Sequence, residues 1–184
     1  TTTLHGSSAA SDVYKRQLSD MAKIGPGIAG GNNRQTLTFD DGRGRELLQK
    51  WCEAADLKMT VDQLGSMFFL REGTDSKLQP VVIGSHLDTQ PTGGKYDGVL
   101  GVLAGLEIIR TLNDLDIKTK RPIMIVNWTN EEGCRFAPAL MASSGFVGAL
   151  NVNEILNTKD SDGQIFKEVL AKIGGRGKEK VGSQ

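Results

Sequence analysis

Four side chains of types that bind and activate metal ions lie in two short segments, His86 and Asp97 in the first and Glu131 and Glu132 in the second. Imidazole and carboxylate ligands together suit zinc and its neighbours among the divalent metals. Neither of the two cysteines belongs to a C-x-x-C pair, which argues against a structural zinc site. The residue types therefore predict a catalytic metal site.

Each of these side chains can be given a chemical role. His86 can offer one ring nitrogen to a metal, and the carboxylate of Asp88 can accept the proton on the other nitrogen. Asp97 can bridge two metals, which lie about 3.5–4 Å apart in such sites. Glu131 and Glu132 must divide the jobs of metal ligand and general base, because two close free carboxylates repel each other. Spacing alone does not assign these two jobs.

Predicted strands directly precede both segments. Residues 81–83 form a continuous β-branched run that is typical of a strand buried on both faces, and Ile123–Trp128 predicts a second buried strand. Between them, residues 99–112 are apolar nearly all round and predict a deeply packed helix. Strand, buried helix and strand is the βαβ pattern, and ligands of such sheets bind beyond the carboxyl ends of the strands. We therefore expect the candidate residues to meet at one sheet edge.

Shorter patterns predict the remaining elements of an α/β fold with a mostly parallel or mixed sheet between helices. An amphipathic helix follows Asp40 or Asp41 as its N-cap. The predicted elements are helices over residues 18–24, 42–56, 139–144 and 163–173, and a hairpin of strands over residues 58–63 and 66–71.

Bulk properties narrow the class of function. A chain of 184 residues suits one domain. Its 22 Lys and Arg residues balance 22 Asp and Glu residues, so the charge gives no sign of a nucleic-acid or membrane partner and favours a small-molecule substrate. The apolar runs are shorter than the roughly 20 residues that span a bilayer, and the N-terminus lacks a secretory pattern. We expect a cytoplasmic protein.

Residues 1–17 are interpreted as an extraneous or disordered head, because their stretch SSAASDVYKRQ resembles translated sequencing-adapter readthrough. His5 is set aside with them. This leaves His86 as the only histidine of the remaining unit, residues 18–184.

Two motifs resemble the signatures of a known family. They are GSHLDTQPTGGKYDG over residues 84–98 and NEEGCRF over residues 130–136. Both are similar to motifs of the amidase, hydantoinase and carbamoylase family, which belongs to the dinuclear zinc aminoacylase and carboxypeptidase superfamily. The similarity extends from about residue 24 to residue 173. Members include N-carbamoyl-L-amino-acid hydrolases, β-ureidopropionases and allantoate amidohydrolases, which cleave a ureido C–N bond.

The resemblance implies a three-layer αβα sandwich and two divalent metal ions, with zinc first and manganese, cobalt or nickel compatible. Carried over residue by residue, it makes His86 a ligand of one metal, Asp97 the bridge, Glu132 a ligand of the other and Glu131 the general base. Asp88 joins Glu131 in the expected catalytic set. The implied reaction is hydrolysis of a linear ureido or amide C–N bond, first of all in N-carbamoyl-L-amino acids or β-ureido acids.

The family also needs two more histidine ligands and a lid and dimerisation domain, and no histidine follows His86 in this chain. We expect these parts beyond Gln184, a homodimer of the parent enzyme through the absent domain, and an inactive fragment. The alternatives are an allantoate amidohydrolase, an aminoacylase or aminopeptidase with the same ligands, and a truncated or relic chain that at most binds.

Single residues of the set also have simpler interpretations. Asp97 taken alone is a turn residue, because Asp-Gly is a common turn pair. Arg135 could anchor a substrate carboxylate through its planar fork, or simply neutralise the acidic loop beside it, and we favour the second interpretation.

Overall fold

The computed structural model describes residues 6–183, with side chains from residue 13 onward. His5 lies outside the described residues. The helices are α1 (Gly6–Ala22), α2 (Phe39–Glu53), α3 (Val99–Asp114), α4 (Met141–Phe146), α5 (Val152–Asn157) and α6 (Phe166–Lys172). The strands are β1 (Lys58–Val61), β2 (Met67–Arg71), β3 (Val81–His86) and β4 (Ile123–Trp128). Within the described residues, no helix combines the length and apolar character that a membrane crossing requires.

The four strands form one mixed sheet in the order β1-β2-β4-β3. The pairs β1–β2 and β2–β4 are antiparallel, whereas β3 and β4 are parallel, with Ile83 opposite Ile125 and His86 opposite Trp128. Helix α3 connects the two parallel strands, so the predicted βαβ unit and the α/β class are confirmed. Because β3 and β4 are parallel, their carboxyl ends lie at the same edge of the sheet.

Alternate side chains of the strands enter two apolar layers. On one face, Phe69 and Ile125 pack in a cluster that also holds residues of α1, α2 and α3. On the other face, Phe68 and Val126 belong to a cluster against which Phe146 of α4 packs, and the rings of Phe68 and Phe146 lie 5.9 Å apart. Helical residues therefore lie on both sides of the sheet, as an αβα sandwich requires.

Strand β3 differs from its prediction. Val81 and Val82 are 49% and 54% exposed, so the expectation of a strand buried on both faces is wrong. In the described part of the chain β3 pairs with β4 alone, and α3 packs on the face that carries half-buried Ile83. A short β-branched run indicates a strand, but it does not distinguish an edge position from a central one.

Helix α1 begins at Gly6, well before the predicted start at residue 18. Tyr14 packs against the apolar core, and its hydroxyl donates a hydrogen bond to the carbonyl of Leu100 at 3.3 Å. This contact joins α1 to α3. The interpretation of residues 1–17 as an extraneous head stays a prediction.

Helix α2 is capped by Thr38, not by Asp40 or Asp41. The Thr38 hydroxyl accepts a hydrogen bond from the N–H of Asp41 at 3.2 Å, and the Asp41 carboxylate accepts one from the N–H of Leu37 at 2.8 Å. Side chains thus reach both ways across the helix start, in the manner of a capping box. The short helix α5, whose N-cap is Asn151, was not predicted.

Asp62 organises the turn between β1 and β2. One of its carboxylate oxygens accepts hydrogen bonds from the N–H groups of Leu64 and Ser66, both at 2.9 Å, and the other has no hydrogen-bond partner among the described atoms. Burial raises the pKa of Asp62 to about 6, although the N–H groups and the charge of Arg45 oppose the shift. Near pH 5 the carboxyl is therefore mostly protonated in the folded state, whereas it is mostly ionised in the unfolded state.

The Asp62→Asn substitution tests this consequence. A carboxyl whose pKa is raised by folding contributes stability that is present below its unfolded pKa and lost as the pH rises through its folded pKa. The amide keeps the acceptor oxygen and carries no charge. Relative to the original chain, the variant should gain about 2 kcal/mol of unfolding free energy between about pH 4.5 and 7.5. Urea unfolding at several pH values measures the difference, and a difference that stays constant contradicts the prediction.

Candidate metal centre

The parallel strands carry the two predicted segments to one edge of the sheet. His86 is the last residue of β3, and Glu131 and Glu132 follow shortly after the end of β4. The Nε2 atom of His86 lies 3.3 Å from Oε2 of Glu131. One potential ligand atom from each of His86, Glu131 and Glu132 lies within 4.8 Å of the others. The structure thus brings together three residues of the predicted site.

Backbone turns place the glutamate pair. Asn130 adopts a left-handed conformation with φ 56°, which Asn tolerates better than most residues, and its side-chain amide donates a hydrogen bond to the carbonyl of Phe136 at 2.7 Å. Gly133 also has a positive φ, and a Cβ there would lie 2.4 Å from the backbone nitrogen of Ala139. Only glycine fits that position. The loop is therefore folded tightly back towards α4.

Gly98 lets the start of α3 approach His86. Its φ is 68°, and a Cβ at this position would lie 2.5 Å from Cε1 of the imidazole. Asp97, the preceding residue, is exposed, and its carboxylate is not part of the group formed by His86, Glu131 and Glu132. The bridging role of Asp97 stays a prediction.

Asp88 connects the two segments and is only 2% exposed. Its carboxylate oxygens accept hydrogen bonds from the N–H groups of Glu131 and Glu132, at 3.3 and 3.2 Å. The backbone carbonyl of Asp88 lies 2.8 Å from Nδ1 of His86, whereas the carboxylate lies 3.6 Å from it. The sequence predicted that the carboxylate of Asp88 meets the ring nitrogen of His86. In the structure the carboxylate accepts from the glutamate loop, and the backbone carbonyl of Asp88 meets the ring nitrogen instead.

Burial, neighbouring charges and hydrogen bonds all act on the pKa of Asp88. Burial raises the pKa of its carboxyl, and the negative charge of Asp41 adds to the rise, while His86 and the N–H groups of Glu131 and Glu132 oppose it. The same hydrogen bonds that hold the loop therefore also stabilise the ionised carboxylate.

Glu132 gives the structural test of whether a cation fits. Its Oε2 accepts a hydrogen bond from the side-chain amide of Gln90 at 3.0 Å, but its Oε1 is buried without a hydrogen-bond partner among the described atoms. A buried carboxylate oxygen is costly to leave unpaired. A divalent ion held by Glu132, beside His86, would remove that cost, and imidazole with carboxylates suits zinc, manganese, cobalt or nickel. The residues fit the metal.

Sequence reasoning did not single out Gln90 or Asn130. The only signal for Gln90 was its position two residues after Asp88, and Asn130 showed only that a residue tolerant of positive φ precedes the glutamates. Neither feature identifies a contact without the fold.

The side chain of Arg135 contacts other residues of this chain. Its Nε donates a hydrogen bond to the Asp160 carboxylate at 3.1 Å, and its Nη1 donates one to the carbonyl of Thr36 at 3.1 Å. Its guanidinium carbon also lies 5.2 Å from the centre of the Phe136 ring. These contacts join the glutamate loop to neighbouring loops. A role of Arg135 in substrate binding stays the weaker interpretation.

The chain is similar to several known proteins. The model of "Peptidase family M20/M25/M40" matches residues 82–171. An N-carbamoyl-L-amino-acid amidohydrolase from Rhizobium meliloti is 61% identical over 167 residues, which are 91% of this chain and 40% of that protein. A ureidoglycolate hydrolase from Arabidopsis thaliana is 31% identical over 82% of this chain and 32% of its own length.

A solved structure of a hydantoinase/carbamoylase family amidase from Burkholderia ambifaria superposes with a TM-score of 0.92 at 49% identity, over 94% of this chain and 43% of that one. This likeness and the α/β sheet place the chain in the structural class of the M20 peptidases. The chain belongs to the amidase, hydantoinase and carbamoylase family. It spans about 40% of the length of the first of these curated relatives.

The Asp88→Asn substitution tests how the two segments are held together. An amide keeps one acceptor oxygen but places an NH₂ group against one of the two N–H groups that the carboxylate now accepts. We expect metal affinity to fall by about 10–100-fold, as is usual when a group that orients metal ligands is lost. Calorimetric titration with Zn²⁺ measures this affinity. If the folded variant binds Zn²⁺ as tightly as the original chain, Asp88 does not position the metal ligands.

Proposed function

We propose that this chain is part of an enzyme that hydrolyses a linear ureido or amide C–N bond with two divalent metal ions, first of all in N-carbamoyl-L-amino acids or β-ureido acids. The observation that carries the proposal is the buried Oε1 of Glu132, which lies beside His86 and Glu131 and has no hydrogen-bond partner in the described part of the chain. The name of the Rhizobium meliloti relative supports the substrate class.

In this proposal His86 would hold one metal and Glu132 the other, and the carboxylate of Asp97 would be their shared ligand. A Cβ at Gly98 would overlap the imidazole of His86, so the backbone next to Asp97 lies close to the site. Bound divalent ions of this kind polarise a carbonyl group and lower the pKa of coordinated water. Zinc is the first candidate for both positions.

Glu131 is the proposed general base. Its carboxylate lies beside Nε2 of His86 and its side chain is 29% exposed, so it borders the imidazole and remains open to a substrate from solvent. In this role Oε2 takes a proton from the attacking water and delivers it to the leaving nitrogen. Asp88 fixes the backbone of the same residue, which keeps the carboxylate in reach of the reaction.

The remaining groups are proposed to lie in the part of the relatives' length that this chain does not span. These are two histidine ligands, the groups that bind the substrate and the contacts of a homodimer. A complete ligand set is then needed for full activity, and the isolated chain is expected to be inactive or nearly so.

A second candidate keeps the reaction and changes the substrate. The Arabidopsis relative is named for ureidoglycolate, which also contains a linear ureido group. Both candidates place the same residues at the scissile C–N bond. Comparison of ammonia release from N-carbamoyl-L-amino acids and from ureidoglycolate distinguishes them.

The Glu131→Gln and Glu132→Gln substitutions test the roles in the chain continued to the full length of its relatives. Loss of the base should lower kcat for ammonia release by about 10²–10⁴-fold while metal content is kept. Loss of the Glu132 carboxylate should lower metal content and activity together. Elemental analysis and an ammonia assay measure both quantities.

The matched control is Glu154→Gln, since this exposed glutamate lies on α5, away from the cluster. It should retain both metal and activity. A full-length protein that binds little metal, or a Glu131→Gln variant with undiminished ammonia release, refutes the proposal.

A further inference from the structure

Arg34 lies in the segment between α1 and α2, and its side chain is fully buried. Its Nε donates a hydrogen bond to the carbonyl of Leu87 at 2.9 Å, and its Nη1 donates to the carbonyls of Met21 at 3.1 Å and Ile24 at 2.8 Å. All three acceptors are backbone carbonyls. The third guanidinium nitrogen, Nη2, has no hydrogen-bond partner among the described atoms.

The backbone of Arg34 makes a second set of contacts with the same loop. Its N–H donates a hydrogen bond to the hydroxyl of Thr89 at 2.7 Å, and its carbonyl accepts one from the N–H of Thr89 at 2.9 Å. Arg34 therefore holds both neighbours of Asp88 in the chain, Leu87 through its side chain and Thr89 through its backbone.

The surrounding fold is shaped to admit this side chain. A Cβ at Gly44, inside α2, would lie 3.0 Å from Cδ of Arg34, and one at Gly25 would lie 3.0 Å from its Cβ. Glycine inside a helix costs about 1 kcal/mol relative to alanine. The buried guanidinium gives a physical reason for that glycine.

The buried charge of Arg34 lies near negative charges. Among the described residues no carboxylate forms a hydrogen bond with the guanidinium, and the nearby negative charges that act on it include those of Asp41 and Asp88. A buried cation without a paired carboxylate is unfavourable in a purely structural position. Arg71 is another buried arginine, 8% exposed, and serves for comparison. It donates hydrogen bonds to Asn113, Thr119 and Ile117, away from the metal site.

We propose that Arg34 is a positioning residue of the metal site, an inference that rests on the proposed function. By fixing Leu87 and Thr89 it fixes Asp88 between them. Asp88 in turn contacts His86 through its carbonyl and the glutamate loop through its carboxylate. A shift of Arg34 thus moves His86 and the glutamate loop relative to each other.

The test compares Arg34→Lys with Arg71→Lys in the chain continued to the full length of its relatives. Lysine keeps the charge but lacks the planar fork, so each variant loses buried hydrogen bonds and should unfold at lower urea concentration. Co²⁺ titration followed by visible absorption measures metal affinity independently of activity. Arg34→Lys should bind Co²⁺ about 10–100-fold more weakly, with altered absorption bands, and Arg71→Lys should bind it as the original protein does.

A milder pair covers the case in which Arg34→Lys does not fold. Thr89→Val removes the hydroxyl that accepts from Arg34, and Thr119→Val removes a hydroxyl that accepts from Arg71. Thr89→Val should weaken Co²⁺ binding by about 10-fold and Thr119→Val should not.

The outcomes separate the two proposals. If the original full-length protein binds no Co²⁺, the proposed function fails. If it binds Co²⁺ and the Arg34 or Thr89 variant binds as tightly as its control, the proposed function stands and the positioning role of Arg34 is overturned.

Discussion

The buried carboxylate of Asp88 is the contact on which the site depends. It accepts hydrogen bonds from two successive backbone N–H groups of the glutamate loop, while the carbonyl of the same residue meets the ring of His86. One residue thus joins the end of β3 to the loop after β4. Such a carboxylate is costly to bury unless its partners are fixed, so the surrounding loops must be held closely.

The fold supplies that support from two directions. Parallel pairing of β3 and β4 brings the strand ends together, and the positive φ values of Gly98 and Gly133 allow the following backbone to approach within distances that a side chain would prevent. Behind Asp88, the segment around Arg34 closes the loop from the side of α1. Of the candidate side chains, Glu131 remains partly exposed.

The sequence predicted the βαβ unit, the hairpin and the positions of most helices, because apolar periodicity records which faces are buried. It misjudged β3, since an apolar run looks the same at an edge and in the middle of a sheet. Of the residues that it proposed for a site, the structure brings together His86, Glu131 and Glu132 but leaves Asp97 outside this cluster. The Nδ1 atom of His86 meets the carbonyl of Asp88, whereas the sequence had predicted its carboxylate. Long-range backbone contacts leave no periodic trace in a sequence.

By itself, then, the sequence determined which chemistry is available, through the histidine, the carboxylates and their positions after two predicted strands. It also determined the glycines that permit close approach. Tertiary structure alone left one oxygen of Glu132 without a hydrogen-bond partner among the residues that the structure describes. It also decided that Asp88 holds the glutamate loop and that a distant arginine lies behind it. Those contacts join residues up to about 50 positions apart, and only folding brings such residues within hydrogen-bond distance.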